Sequence, residues 1–313
     1  MKWNRPVNII IQILISILVL LLIIQPDIAL VTVMNEHAIW IIISLIAIGL
    51  ISMFFNNKNL IYFSMLSAAI LTFYLKDLSN ENLVVNKHAN KKAALHIVHI
   101  NIFNAEESKK DILNKVKKID PDVVSFEELT PDWNDFLINK LNDKYKNVLS
   151  LNRLDFDSKL ILSKYEFINK DTFEISNHPQ LDVTVFFRNN PVKIIISYIN
   201  PFSLIDKNSN SKYQLDDLAD YISKSHNRNI ILVGEFNQVY WTKRIKNFLY
   251  KTRFNNARRS ISFSKRNPYD HIFYSNKFKC IKLNEIYDSK GNHIGIEGYF
   301  KIIDPDDISI SSH

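Results

Sequence analysis

The sequence predicts a mixed α/β domain carried behind an N-terminal transmembrane helical region, and three observations lead there. Up to about Leu75 the chain is overwhelmingly apolar, whereas from Lys76 onward it is polar, charged and mixed. Beyond a polar stretch at Asn80–Lys92, apolar runs of strand length alternate with segments whose apolar residues recur at helical spacing. Two consecutive strand-like runs, Val183–Phe187 and Val192–Ile199, are separated only by Arg188–Pro191. They read as an antiparallel hairpin, so the sheets are mixed rather than all parallel.

The apolar part contains three runs, Val7–Ile24, Ala38–Phe55 and Leu60–Leu75. The first two reach the roughly 18 residues expected of a membrane span, and the third is marginal. A secretory signal peptide would end in a small-residue cleavage site, which the first run lacks. Lys2 and Arg5 precede the first run, while Asp27 and Glu36 follow it, which puts the N-terminus in the cytoplasm. Three crossings then place the rest of the chain outside. Lys76, Lys87, Lys91 and Lys92 argue the other way, and without a third crossing the domain stays inside.

The polar part begins with Asn80–Lys92, which has no periodicity and reads as a tether. Leu95–Ile102 is strand-like. Glu106–Ile119 places Ile112, Val116 and Ile119 on one helical face. Val123–Glu127 is a short apolar strand. Thr130 followed by Pro131 is an N-cap with proline at the first helical position, opening a helix to about Lys144. Strands are expected at Asn147–Leu151, Lys159–Ser163 and the hairpin above, then a helix at Tyr213–Lys224 and a strand at Asn229–Val233. A helix over Thr242–Tyr250 precedes strands at His271–Ser275, Phe278–Leu283 and Gly298–Ile303. The expected division is therefore a membrane region at 1–76, a tether at 77–93, the α/β domain at 94–303 and a tail at 304–313.

Lys and Arg total 39 against 32 Asp and Glu, a formal charge of +7, which suits an anionic partner such as a phosphate-bearing substrate or a lipid surface. Cys280 is the sole cysteine, so no intrachain disulfide forms. No Gly-rich phosphate loop, Cys/His zinc spacing or Gly-x-Ser-x-Gly elbow is present, which removes the chemistries those motifs serve.

Polar residues gather where the strand runs stop. They are Asn101, Glu127 and Glu128, Asn200 before Pro201, Glu235 and Asn237 in Val-Gly-Glu-Phe-Asn, Asp270 in Asp-His-Ile-Phe, and His293 in Gly-Asn-His-Ile-Gly. Strand ends of α/β proteins are where sites are built, although any one Asn or Asp there is ordinarily a turn former. With only 5 Gly in the chain, those beside Glu235 and His293 mark a tight turn or a close approach. His271 neighbours Asp270 on a strand, faces the other way and reads as a packed residue. His99 shares a face with Asn101 and is either a pocket residue or a hydrogen-bonded core histidine. Arg258-Arg259 and Lys265-Arg266 fall in a loop as phosphate or headgroup binders, or as solvated charge.

The order of these residues resembles the endonuclease/exonuclease/phosphatase superfamily, the DNase-I-like fold. The likeness spans Ala94–Ile303. It is carried by Asp-Pro-Asp-Val-Val at 120–124 running to Glu128-Leu129-Thr130, by Gly234–Asn237 with Trp241, by Asp270–Phe273, and by Lys212, Gln214 and Leu215. The apolar runs ahead of the domain resemble a membrane-anchored bacterial subgroup.

The resemblance implies a two-sheet α/β sandwich and metal-dependent hydrolysis of a phosphoester, of phosphodiesterase, nuclease or phosphatase type, with Mg²⁺ or Mn²⁺. By position it assigns Glu128 and Asn101 to the metal, Asn237 to a phosphate oxygen or the attacking water, and Glu235 to that water. It assigns Asp270 to orient His293 and His293 to the scissile phosphate, with Asn200 and Asn292 as phosphate contacts. Hard cations prefer such carboxylate and amide oxygens. Glu127, where the family usually has Gln, is left out of the set.

Three positions depart from the family. Gly-Glu-Phe-Asn stands for Gly-Asp-Phe-Asn, Gly-Asn-His for Ser-Asp-His, and Asn200 for a His before the proline. Besides a hydrolase acting on nucleic acid, a phospholipid headgroup or a small phosphoester, the sequence therefore leaves open a catalytically impaired relative that binds a phosphate ligand or a protein. A subunit of a membrane assembly is the third reading.

Overall fold

A computed structural model describes residues 5–26, 28–77, 93–105, 107–201, 211–258 and 269–303. The expected tether, Arg259, Lys265-Arg266 and the C-terminal tail lie outside these residues.

The chain forms two compact units. The first holds helices α1 (Arg5–Ile24), α2 (Ala29–Glu36), α3 (Ala38–Phe54) and α4 (Lys58–Asp77). Ile15, Val19 and Leu22 of α1 pack with Leu45 of α3 and with Leu60, Ala68 and Leu71 of α4. Their outer faces are apolar too, with Ile10, Leu14, Trp40, Tyr62 and Phe73 exposed. A helix apolar all round needs an apolar surrounding. Two of the helices, Arg5–Ile24 and Lys58–Lys76, are long and apolar enough to cross a membrane, and α2 with α3 forms a third candidate bent by 77°. α3 alone is 17 residues, and α4 reaches its 20 by extending the expected run Leu60–Leu75 into polar ends. The short α2, in what reads as a loop, was not expected. The segment Tyr240–Lys246 belongs to this unit. There the Trp241 indole N–H donates to the Asn35 carbonyl at 2.7 Å, and the Gln25 amide donates to the Trp241 carbonyl at 3.2 Å.

The second unit contains two six-stranded mixed sheets. The strands of one are β1 (Leu95–Asn101), β2 (Val123–Glu127), β3 (Asn147–Leu151), β4 (Lys159–Ser163), β11 (Phe278–Tyr287) and β12 (His293–Ile302), in the order β11-β12-β1-β2-β4-β3. The other runs β5-β6-β7-β8-β10-β9. Its strands are β5 (Phe167–Ile175), β6 (His178–Phe187), β7 (Asn190–Ile196), β8 (Ile230–Glu235), β9 (Asn255–Asn256) and β10 (Asp270–Tyr274). Helices α5 (Lys109–Ile119) and α6 (Pro131–Leu141) cover the first sheet, α7 (Ser211–Ser223) follows, and α8 (Lys243–Thr252) begins in the first unit and enters this one from Asn247. The Thr130 cap read from the sequence is in place, accepting the backbone N–H of Trp133, and Ser108 caps α5 in the same way by accepting that of Asp111.

Side-chain alternation sorts the strands into two cores. Leu95, Ile97, Val123, Ile231, Val233, Ile272 and Ile296 meet between the sheets. Val98, Ile100, Val124 and Phe126 turn the other way onto Ile112, Val116 and Leu137 of the helices. Continuing the inter-sheet face by twos, β1 reaches His99 and Asn101, β2 reaches Glu127, β8 reaches Glu235, and β10 starts at Asp270. Because β10 and β12 run antiparallel to β8 and β1, these polar residues collect at one end of the apolar layer.

Two further expectations change. β5 (Phe167–Ile175) was not foreseen, because its middle residues are polar and exposed on an edge strand. His293 is not in the turn but is the first residue of β12, paired with Tyr287.

Gly234 shows why glycine is used where it is. Its φ is +153°, and a Cβ there would lie 2.0 Å from the Ser197 carbonyl oxygen. Gly234→Ala must therefore move β8 away from the chain at Ser197, at a cost of about 3 kcal/mol or more from backbone strain and overpacking. Urea unfolding of the purified chain measures it; a loss below about 1 kcal/mol would show that the strand ends open freely.

Candidate active site

The polar ends of β1, β8, β10 and β12 enclose a small cavity lined by Asn101, Asn104, Glu235, Tyr269, Asp270, His293 and Ile294. Four residues expected from the sequence, Asn101, Glu235, Asp270 and His293, thus face one space. Glu128 and Asn237 join them through hydrogen bonds. The Glu128 carboxylate pairs with the Asn101 amide and the Tyr198 hydroxyl. Tyr198 in turn reaches Asn237, whose Nδ2 donates to the Ile199 carbonyl at 2.9 Å.

Asp270 is the most constrained group. Its Oδ2 lies 2.7 Å from Nε2 of His293, and its Oδ1 accepts from Arg258 Nη2 at 2.6 Å. Burial pushes its carboxyl up, but His293, Arg258 and His99 together hold it well below the usual carboxylate range. An ionised Asp270 accepts only, so the His293 proton sits on Nε2 and Nδ1 is left as an acceptor. That Nδ1 is buried and has no hydrogen-bond partner among the described residues.

On the opposite wall, Glu235 accepts from the amides of Asn101 and Asn104, the latter at 3.1 Å. Its backbone N–H donates to Glu127 at 3.0 Å. Asn101 Oδ1 is taken by the N–H of Phe103 at 2.9 Å, so its Nδ2 faces the carboxylates. Glu128 stands beside this pair, and its carboxyl is pushed up to about 7 by burial and by Glu235. Glu128 and Asn237 are both in the left-handed backbone region, at φ 54° and 49°. Asn tolerates it, but Glu rarely adopts it, and such strain persists only where surrounding structure imposes it.

The remaining expected residues are not among those lining the cavity. Asn200 Nδ2 is 2.8 Å from Nε2 of His178, and Asn292 Nδ2 donates to Asp288 at 2.8 Å within the turn before β12. Glu127 is fully buried with His99, whose Nδ1 lies 3.0 Å from Ser125 Oγ. His99 is therefore a hydrogen-bonded core residue. Burial lowers its affinity for a proton, but Glu127 above all offsets this and the net direction is upward. His271 is packed, 2.8 Å from the Gln238 carbonyl, and pushed down to about 4 by burial and Arg258.

Sequence reasoning missed Tyr198, Asn104 and the role of Arg258. Tyr198 and Asn104 flank expected residues within three positions along the chain. Nothing local marks Arg258, which reaches Asp270 from 12 residues away.

The sequence profile of the Endonuclease/Exonuclease/phosphatase family matches residues 98–288, and the chain belongs to that family. No curated protein matches at the sequence level. Solved structures do match. A D. rerio TDP2 complexed with a single-strand DNA product is 15% identical with a TM-score of 0.53, covering 67% of this chain and 99% of that one. The human Nocturnin catalytic domain is 13% identical with a TM-score of 0.55, covering 67% and 95%. The Bacteroides thetaiotaomicron mannosyl-6-phosphatase is 14% identical with a TM-score of 0.52, covering 66% and 99%. At these identities the likeness establishes the two-sheet fold.

A carboxyl raised from 4.5 to about 7 binds a proton on folding, so its stabilising effect is full below about pH 4.5 and is lost as pH rises through about 7. Glu128→Gln removes the charge without changing the shape. In metal-free buffer it is expected to raise the melting temperature at pH 8 by roughly 3 °C and to leave it unchanged near pH 4.5. A Gln variant less stable at pH 8 would show that Glu128 is not repelled by its surroundings.

Proposed function

We propose that this chain is a membrane-anchored, metal-dependent hydrolase of phosphoesters, working through Asn101, Glu128, Glu235, Asn237, Asp270 and His293. The observation that carries this is the facing of an Asp270-held imidazole and a carboxylate-amide wall across one cavity. Family membership supports phosphoester chemistry in general. The related mannosyl-6-phosphatase and the TDP2 with its DNA product support a phosphate-bearing substrate. The apolar helices support the anchor, and Lys2 and Arg5 ahead of them with Asp27 and Glu36 behind support an extracytoplasmic domain.

The donor set fits a hard divalent ion such as Mg²⁺ or Mn²⁺. Glu128 and Glu235 offer carboxylate oxygens, the ligands such an ion prefers, in a space where burial first and Glu235 second raise the proton affinity of Glu128. Among the described residues no three His, Cys, Asp or Glu side chains converge as a cage, so Glu128 would hold an ion here with water and with Asn101, whose amide would turn to present Oδ1. When bound, it supplies charge neutralisation at a phosphoryl oxygen.

The other work falls to the chain. Asn237 donates an amide hydrogen to a phosphate oxygen or holds the attacking water. Glu235 orients that water and accepts its proton. Its arm is one methylene longer than the family's Asp, and the Asn101 and Asn104 amides fix where the longer arm ends. His293 turns Nδ1 toward the phosphoester while Asp270 holds its Nε2–H; with a proton on Nδ1 as well, the imidazolium paired with Asp270 donates to the phosphoester and stabilises charge developing there.

Asn292 favours a second reading. Its side chain bonds Asp288 within the turn before β12, and it is not among the residues lining the cavity. On that reading the domain binds a phosphate ligand without turning it over.

With the full chain in detergent, hydrolysis of a soluble phosphodiester, DNA, RNA and phospholipid is expected to require Mg²⁺ or Mn²⁺. Glu128→Ala and His293→Ala should each lower it by about 10²-fold or more, and Glu128→Ala should abolish the rise in melting temperature that Mg²⁺ gives the wild type. Phosphate-dependent stabilisation without turnover would instead establish the binding reading.

A further inference from the structure

A second group of titratable side chains lies beside Asn200. Asp157, in the loop before β4, is 8% exposed, and its Oδ2 is 3.0 Å from Nδ1 of His178, the first residue of β6. His178 Nε2 is 2.8 Å from Asn200 Nδ2. The three residues come from separate loops and strands and form a continuous hydrogen-bonded chain from a buried carboxylate to an amide.

The chain of bonds has one sense. The Asp157 carboxylate accepts only, so His178 carries its proton on Nδ1, and Nε2 accepts from Asn200. An amide NH₂ has two hydrogens, so one is committed to His178 and the second remains for a ligand. The backbone around Asn200 is held as firmly. Its N–H donates to Gln214 Oε1 at 2.9 Å, and the N–H of Tyr198 donates to Gln180 Oε1 at 3.0 Å. The preceding carbonyl, Ile199, is the one that accepts from Asn237, which ties this segment to the site. Lys159, fully buried, donates to the carbonyl of Pro179, the residue after His178 in β6, at 2.9 Å.

We infer that Asp157 and His178 are positioning residues that fix the Asn200 amide as a donor to a non-bridging oxygen of the phosphoester. An imidazole from β6 thereby backs an asparagine where a single histidine at that place would act directly. The inference rests on the hydrolase reading above.

The full chain in detergent, with a soluble phosphodiester as substrate and inorganic phosphate as competitor, tests it. A hydrogen bond to a charged oxygen is worth a factor of about 10 to 100. Asn200→Ala and His178→Ala are each expected to raise KM and the phosphate inhibition constant about tenfold, with kcat nearly unchanged. Asp157→Asn should do so less. The double variant should cost no more than either single one, because both changes cut the same chain. His178→Gln, whose side-chain oxygen can accept from Asn200, should recover most of the loss. In an Asn200→His background, His178→Ala should cost less than about twofold.

Unchanged KM and phosphate inhibition in His178→Ala would overturn the inference, as would losses that multiply in the double variant, or a fall in kcat and melting temperature that His178→Gln does not repair. An inactive wild type that does not bind phosphate would overturn the hydrolase reading together with this one. Activity lost in Glu128→Ala and untouched in His178→Ala would overturn this one alone.

Discussion

A buried carboxylate must be paired, and in this protein the pairing of buried carboxylates joins the two sheets at one end. Asp270, on one sheet, takes His293 from the other, and Arg258 bonds both Asp270 and Glu285 of β11. Glu235 takes Asn101 across the same gap, and its own N–H goes to Glu127. Between these bridges the interior is apolar, so the end of the layer is the place where charge can be held and water can enter. The cavity lies there for that reason. A change at Arg258 therefore acts on His293 without touching it, through the state of Asp270.

Strain collects at the same end. Glu128 and Asn237 occupy left-handed backbone, and Gly234 occupies a conformation and a space closed to other residues. Each of these costs stability and each brings a backbone or an oxygen close to the cavity. The surrounding sheets, with fully buried Val123, Val124, Ile231 and Val233, supply the rigidity that holds them. The proton affinity of Glu128 follows from the same crowding: two carboxylates share a desolvated space, and a cation or a proton relieves it.

Much of this was legible along the chain. Strands such as Val123–Glu127 and Lys159–Ser163 are short apolar runs bounded by polar residues, and they appear with those bounds. Thr130-Pro131 opens its helix because a cap and a proline act locally. Asn101, Glu235 and Asp270 were recognisable as polar residues where apolar strand runs stop, and His293 as a histidine in a glycine-rich segment, in an order that resembles the family. What escaped was non-local. β5 is an edge strand whose exposed middle carries no period-2 signal, and α2 is a short helix in an apolar connection. Asn292 has the position of a site residue, but a local turn with Asp288 claims its side chain.

The residues alone determined that the chain has an apolar helical region, that an α/β domain follows, and which side chains end its strands, since periodicity and caps are properties of neighbouring residues. Only the tertiary structure decided which of those ends meet. Arg258 reaches Asp270, Tyr198 joins Glu128 to Asn237, and His178 stands behind Asn200 because sheet order and register bring distant strands to one edge. The physical reason is that pairing partners for buried charge are chosen by distance in space, and sequence separation carries no record of it.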